Sequence, residues 1–163
     1  LLTIMNEKDT TSQIPLTIPN DEFFNDVNIS PYTLSLSTWL YPRIQQYIEI
    51  ESSSHVFTVV DLHQWIMMIC NTAELHAGCP VPAAFYTIRY VTNTNKVCLF
   101  KENWRYIITV ALLIASKMWD DTPVENIGMA RILCRNSHVY GKEYSSMLRR
   151  VNTWEINFLK TIG

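Results

Sequence analysis

The sequence predicts an all-α fold: five main helices, one of them central and buried, preceded by a short N-terminal helix and an extended arm. Three observations carry that expectation. Eight of the nine residues from Ile107 to Ala115 are apolar, which suits a helix covered by neighbours on most sides. Two runs, TVVD from Thr58 to Asp61 and TPVE from Thr122 to Glu125, match the capping box that satisfies free amides at a helix start. Only four glycines occur in 163 residues, and apolar residues recur at helical spacing with no credible strand pair.

The elements follow in order. Residues 1–30 show no helical period and read as an extended arm, in which Phe23 and Phe24 are candidates to dock on the domain. Residues 31–52 form an N-terminal helix segment: Trp39, Ile44, Tyr47 and Ile48 recur, with Pro42 near the helix start and a linker at Ser52, Ser53 and Ser54. Residues 53–163 then hold the main domain. Its first helix follows the Thr58 cap, places Leu62, Trp65, Ile66, Ile69 and Ala73 inward, and stops at Gly78. Pro80 or Pro82 starts the second, with Ala84, Phe85, Ile88 and Val91 on one face and a polar end from Thr92 to Asn95.

The run KVCLF from Lys96 to Phe100 is a short connector. A central helix spans about Glu102 to Met118. A short helix opening on Pro123 runs to about Cys134, and the last runs from about Lys142 to Ile162. That last helix sets Tyr144, Met147, Leu148, Val151, Phe158, Leu159 and Ile162 on one stripe. Trp65, Trp104 and Trp154 fall at core spacing.

Composition excludes several classes. Apolar residues make up 48% and charged residues 17%, as in a globular chain. The net charge is −2 and no basic cluster exceeds Arg149 and Arg150, so no nucleic-acid partner is expected. Cys70, Cys79, Cys98 and Cys134 include no CxxC pair; three lie in or beside apolar segments, as reduced core cysteines do. An intracellular location in cytoplasm or nucleus is therefore expected. The sequence from Asn28 to Ser30 matches a glycosylation acceptor only as a lone motif.

No apolar run approaches the ~18 residues of a membrane span, so no direct membrane contact is expected of this fragment. The chain begins Leu1, Leu2 and ends within a helical pattern, and so reads as an excised domain. His55, His63, His76 and His138 are scattered, and no metal-ligand spacing, glycine-rich phosphate loop or nucleophile motif occurs. Neither catalysis nor a metal or other cofactor is called for.

Glu155 demands an explanation, because its helical position lies within the apolar stripe, flanked by Val151, Phe158 and Leu159. A carboxylate buried without a partner would cost several kcal/mol. Lys117, at the end of the central helix, is the natural partner. Two readings follow: an internal ion pair with no further role, or a polar hook in an apolar face that bonds the main chain of another protein. Spacing does not separate them. Trp119, Asp120 and Asp121 come directly after. The carboxylates form either a solvated helix junction or an acidic pair placed to receive a partner's arginine.

The segment ALLIASKMWDD, Ala111 to Asp121, resembles the third helix of the cyclin box, and TWEINFLKTIG, Thr153 to Gly163, resembles the fifth. With Asn103-Trp104 and the Trp119–Asp121 ending, the chain is most similar to the cyclin Y-like group, over about residues 56–163 and with a single box. The resemblance implies a regulatory subunit that binds and activates a cyclin-dependent protein kinase and is not itself an enzyme. Kinase contacts would come from Lys117 and Glu155, with Trp119, Asp120 and Asp121 beside them.

Two departures qualify that expectation. Lys117 and Glu155 are further apart in sequence than is typical, with the excess assigned to residues Arg135 to Gly141. The arginine and aspartate of the substrate-docking patch of many cell-cycle cyclins are replaced by Val59 and Ile88, which removes the basis for docking there. The rivals are a cyclin-fold transcription adaptor, which should show a basic surface, a helical enzyme, and a scaffold that does not activate a kinase.

Overall fold

The structure, a computed structural model, describes residues 31–48, 57–94, 99, 103–136 and 142–163. These form six helices: α1 (Pro31–Ile44, continued by a 3-10 turn, Gln45–Tyr47), α2 (Val59–Thr72), α3 (Pro80–Thr94), α4 (Trp104–Trp119), α5 (Asn126–Asn136) and α6 (Lys142–Ile162). The expectations for the arm, for most of the KVCLF run and for residues 137–141 lie outside the described residues.

The first helix differs from expectation. It begins at Pro31, where a missing N–H costs nothing, and Pro42 falls in its last turn rather than near its start. Pro42 cannot donate to the carbonyl one turn back, and its ring crowds that carbonyl. The helix accordingly tightens into the 3-10 turn and gives way to extended backbone at Ile48. There Ile48 pairs with Leu99 in an isolated parallel bridge, and the Leu99 amide donates to the Tyr47 carbonyl at 2.9 Å. Leu40 and Ile44 are buried as α1 packs on α2 and α3.

The capping box at Thr58 forms as the sequence predicts. The Thr58 hydroxyl accepts from the Asp61 amide at 3.2 Å, and the Asp61 carboxylate accepts from the Thr58 amide at 2.7 Å. The other end of α2 does not stop at Gly78. It closes six residues earlier, at Thr72, with the Leu75 amide donating to the Cys70 carbonyl and the Glu74 amide to that of Asn71. This is the Schellman closure, and its left-handed position, usually a glycine, is held here by Glu74 at φ 52°. Leu75 packs against the core beneath that turn.

On α3, Ala84 and Val91 are buried and Ile88 half-buried, but Phe85 is exposed, its ring 5.4 Å from that of Trp39. Helix α4 is the centre. Every residue from Ile107 to Ser116 is buried, and α2, α3 and α6 pack around it. Its one polar residue in the apolar run is fully used: Thr109 Oγ1 donates to the Arg105 carbonyl at 2.7 Å and accepts from Trp65 Nε1 at 3.0 Å. Trp104, at the head of α4, stacks on Phe57 with ring centres 4.4 Å apart, and the Arg105 guanidinium lies 4.6 Å from the Trp104 ring.

The second capping box does not form. Helix α5 begins at Asn126, and the first helical carbonyl to be paired is that of Glu125, which accepts from the Met129 amide. The Thr122 amide that the box would have given to Glu125 is held at the end of α4 instead, and the next residues are tied to that helix as well. Thr122 N–H donates to Asp120 Oδ1 at 3.3 Å and Val124 N–H to Ser116 Oγ at 2.9 Å. Helix α6 has the expected bounds. Met147, Val151, Phe158 and Ile162 face the core, Phe158 stacks on Tyr90 and Trp154 on Tyr106, while Leu159 stays exposed.

Candidate functional site

The last turn of α4, the start of α5 and the second half of α6 meet at one end of the bundle. Lys117 leaves the core helix one residue after buried Ser116, so its stem starts at the edge of the apolar interior. Its Nζ lies 2.6 Å from Glu155 Oε1. The side chains are 35% and 15% exposed respectively, so the carboxylate is mostly covered and the ammonium partly open.

A third residue completes the cluster, and sequence spacing does not reveal it. Asn126, the first residue of α5, accepts from Lys117 Nζ through Oδ1 at 2.6 Å and donates through Nδ2 to Glu155 Oε2 at 2.7 Å. The same Nδ2 donates to Asn152 Oδ1 at 2.7 Å, one helical turn before Glu155 on α6. Lys117, Asn126 and Glu155 therefore close a ring in which each member touches the other two. Glu155 sits in an apolar stripe because this ring meets its charge. The internal pairing anticipated for Lys117 is present.

Large apolar side chains surround the ring yet remain open to solvent. Met118 and Trp119, the two residues after Lys117, are 68% and 66% exposed. Ile127, next to Asn126, and Ile156 and Leu159, beside Glu155 and one turn further, are exposed as well. Monomeric surfaces seldom gather this many large apolar groups without a partner to cover them. Trp119 is held at one edge by a bond from Nε1 to the Tyr86 hydroxyl at 3.2 Å.

The two aspartates separate. Asp120 accepts from the His76 amide at 3.2 Å through Oδ2 and from the Thr122 amide through Oδ1, so it fastens the α2–α3 connection to the end of α4. The His76 and Thr122 amides hold its carboxyl below the ordinary value. Asp121 is the more exposed of the two. Lys117, Trp119, Asp121 and Glu155 thus share one end of the molecule, with Asp120 bracing the backbone beside them.

At the opposite end of α4, Arg105 is held over Trp65 and Trp104, and burial lowers its pKa. Among the described residues, no three or more His, Cys, Asp or Glu side chains gather as metal ligands. Burial raises the Cys79 thiol and pushes that of Cys70 up to about 12, which keeps both as thiols rather than nucleophilic thiolates. No helix of the described residues is long and apolar enough to cross a membrane.

A helical domain whose polar ring stands inside an exposed apolar rim is suited to holding another protein's surface. The family model described as Cyclin, N-terminal domain, matches residues 28–163, and the chain belongs to the cyclin family. Members of that family are regulatory and non-catalytic. No solved structure matches the chain.

Proposed function

We propose that this chain is a regulatory cyclin subunit, of the cyclin Y-like group, that binds and activates a cyclin-dependent protein kinase inside the cell. The observation that carries this reading is the placement of the Lys117–Glu155 pair, 2.6 Å apart, among Met118, Trp119, Ile127, Ile156 and Leu159. The apolar rim supplies area to bury on association, and the charged ring supplies directional bonds to polar groups that would otherwise be desolvated unpaired. Lys117 Nζ has three hydrogens, two already given to Glu155 and Asn126. The third remains for a main-chain carbonyl of the kinase.

Activation follows if this face binds only one arrangement of the kinase. A ligand shifts a two-state equilibrium only by its difference in affinity for the two states. A rigid apolar face with fixed bond directions discriminates between a regulatory helix that is swung in and one that is not. Asp121 extends the polar edge of the face, whereas Asp120 acts by shaping the junction. The net charge of −2 speaks against the transcription-adaptor reading.

The test is a binding and activity assay against a panel of purified cyclin-dependent kinases. It compares the natural chain with a Lys117→Glu, Glu155→Lys double variant shown by circular dichroism to be folded. The natural chain should bind and stimulate one kinase of the panel, and the variant should do neither. Equal stimulation by the folded variant removes the ring from the docking face, and no stimulation of any kinase sinks the activator reading.

A further inference from the structure

We propose that Asn126 is a positioning residue for kinase recognition: its side-chain amide locks Lys117 and Glu155 into one geometry and leaves a single outward ammonium hydrogen. This rests on the activator reading above. Nothing in the spacing of the sequence marks Asn126, and its role emerges only from where α5 begins.

An isolated Lys–Glu pair at 35% and 15% exposure is a loose device, because two long side chains retain rotamer freedom and water competes for both ends. Asn126 removes that freedom. Its Oδ1 faces the ammonium and its Nδ2 faces both the carboxylate and Asn152 Oδ1, so both amide hydrogens and the carbonyl oxygen are engaged. Only a primary amide suits the place. An aspartate would set a second carboxylate against Glu155, a serine falls short of three partners, and a leucine leaves Glu155 Oε2 without this donor. The amide sits on the first residue of a helix whose preceding segment is tied to α4 through Ser116 and Asp120, so its position is set by backbone rather than by its own flexibility.

The fixed ring also defines what the partner must offer. With two ammonium hydrogens and one contact on each Glu155 oxygen occupied, the face offers one strong donor next to carboxylate lone pairs. That fits a main-chain carbonyl with a nearby N–H, and it disfavours an acidic side chain, which Glu155 would repel.

Two measurements test this. The first needs no kinase: side-chain amide NMR of the 15N-labelled chain. The Asn126 NH2 resonances should be protected from solvent exchange and should move in a Glu155→Gln variant. Resonances that exchange like those of an exposed asparagine and stay in place would overturn the proposal, whichever kinase binds. The second is a double-mutant cycle with the kinase that the natural chain activates. Asn126→Leu should weaken binding roughly ten-fold at an unchanged helical content, as expected for losing a partly buried polar bridge.

In a Lys117→Met background the same substitution should add almost nothing, since Asn126 acts through Lys117 and Glu155. Asn126→Asp should not restore binding. Additive losses in the cycle would overturn the positioning role while leaving the activator reading intact. Failure of the natural chain to bind any kinase overturns both the activator reading and the kinase-positioning role built on it.

Discussion

Replacing Trp119 with alanine separates a docking residue from a packing residue. The indole is 66% exposed and is fastened to the domain by one hydrogen bond, to Tyr86. A tryptophan buries roughly 150–250 Å² when covered, so this one has on the order of 100–160 Å² left for a partner. At about 25 cal/mol per Å² that area is worth roughly 2.5–4 kcal/mol as a ceiling. Ordering the interface lowers the realised value to about 2 kcal/mol, or a roughly 30-fold weaker Kd. The cost to folding is only the exposed hydrogen bond and a little packing, about 1 kcal/mol or less.

The assay is isothermal titration of the activated kinase with the natural chain and Trp119→Ala, alongside urea denaturation of each. Val60→Ala is the control. Val60 is also exposed but lies at the start of α2 next to Asp61, whose charge acts on Arg105 at the far end of α4. Helix α4 has 16 residues, so that end is about 24 Å from Trp119. The control should leave Kd unchanged. The reasoning fails if Trp119→Ala binds within about three-fold of the natural chain, or if its stability falls as far as its affinity.

Glu74→Gly should stabilise the domain by about 0.5–1 kcal/mol in urea denaturation, because Glu74 holds a left-handed backbone that suits glycine; a loss of stability would mean that its side chain contributes more than its backbone costs. Leu113→Ala, at a fully buried position of α4, should cost about 3 kcal/mol, and a cost below about 1 kcal/mol would mean that α4 is not the core it is described to be. The third prediction concerns pH. His63 is buried between α1 and α2 with Nδ1 unpartnered, and burial lowers its pKa, opposed in part by its bond to the Thr33 main chain. A depressed folded pKa means that the unfolded chain binds more protons, so this contribution is fully present above the ordinary value of 6.5 and is lost as pH falls below it toward the folded value. The His63→Leu variant should show a shallower loss of stability from about pH 6.5 to 5 than the natural chain; parallel curves would remove His63 from the account.

Much of the architecture is legible in the chain because it rests on local chemistry. The apolar run of α4, the period of α6 and the Thr58 cap depend on residues within a turn or two of one another, and all three form where the sequence predicts. Helix ends depart from the prediction where another nearby group takes the backbone bonds that the local signal would have used. Ser116 took the amide of Val124, and Asp120 that of Thr122, which displaced the start of α5 to Asn126. Helix α2 ends at Thr72 rather than at Gly78, because the closing bonds to Cys70 and Asn71, with left-handed Glu74 and with Leu75 packed against the core, set its end.

The same division runs through the candidate site. Helical period alone put Glu155 in an apolar stripe and required a partner for its charge. The reach and position of Lys117 nominated that partner, because an uncompensated buried carboxylate is too costly to leave alone. Tertiary structure decided the rest: that the pair is closed by Asn126, that Asp120 is spent on the helix junction, and that Met118 and Trp119 face outward while Leu112 and Leu113 do not. Periodicity tells which residues share a face of one helix. Which faces are then covered depends on how the end of α4, the start of α5 and the second half of α6 are brought together, and no single segment of the chain encodes that meeting.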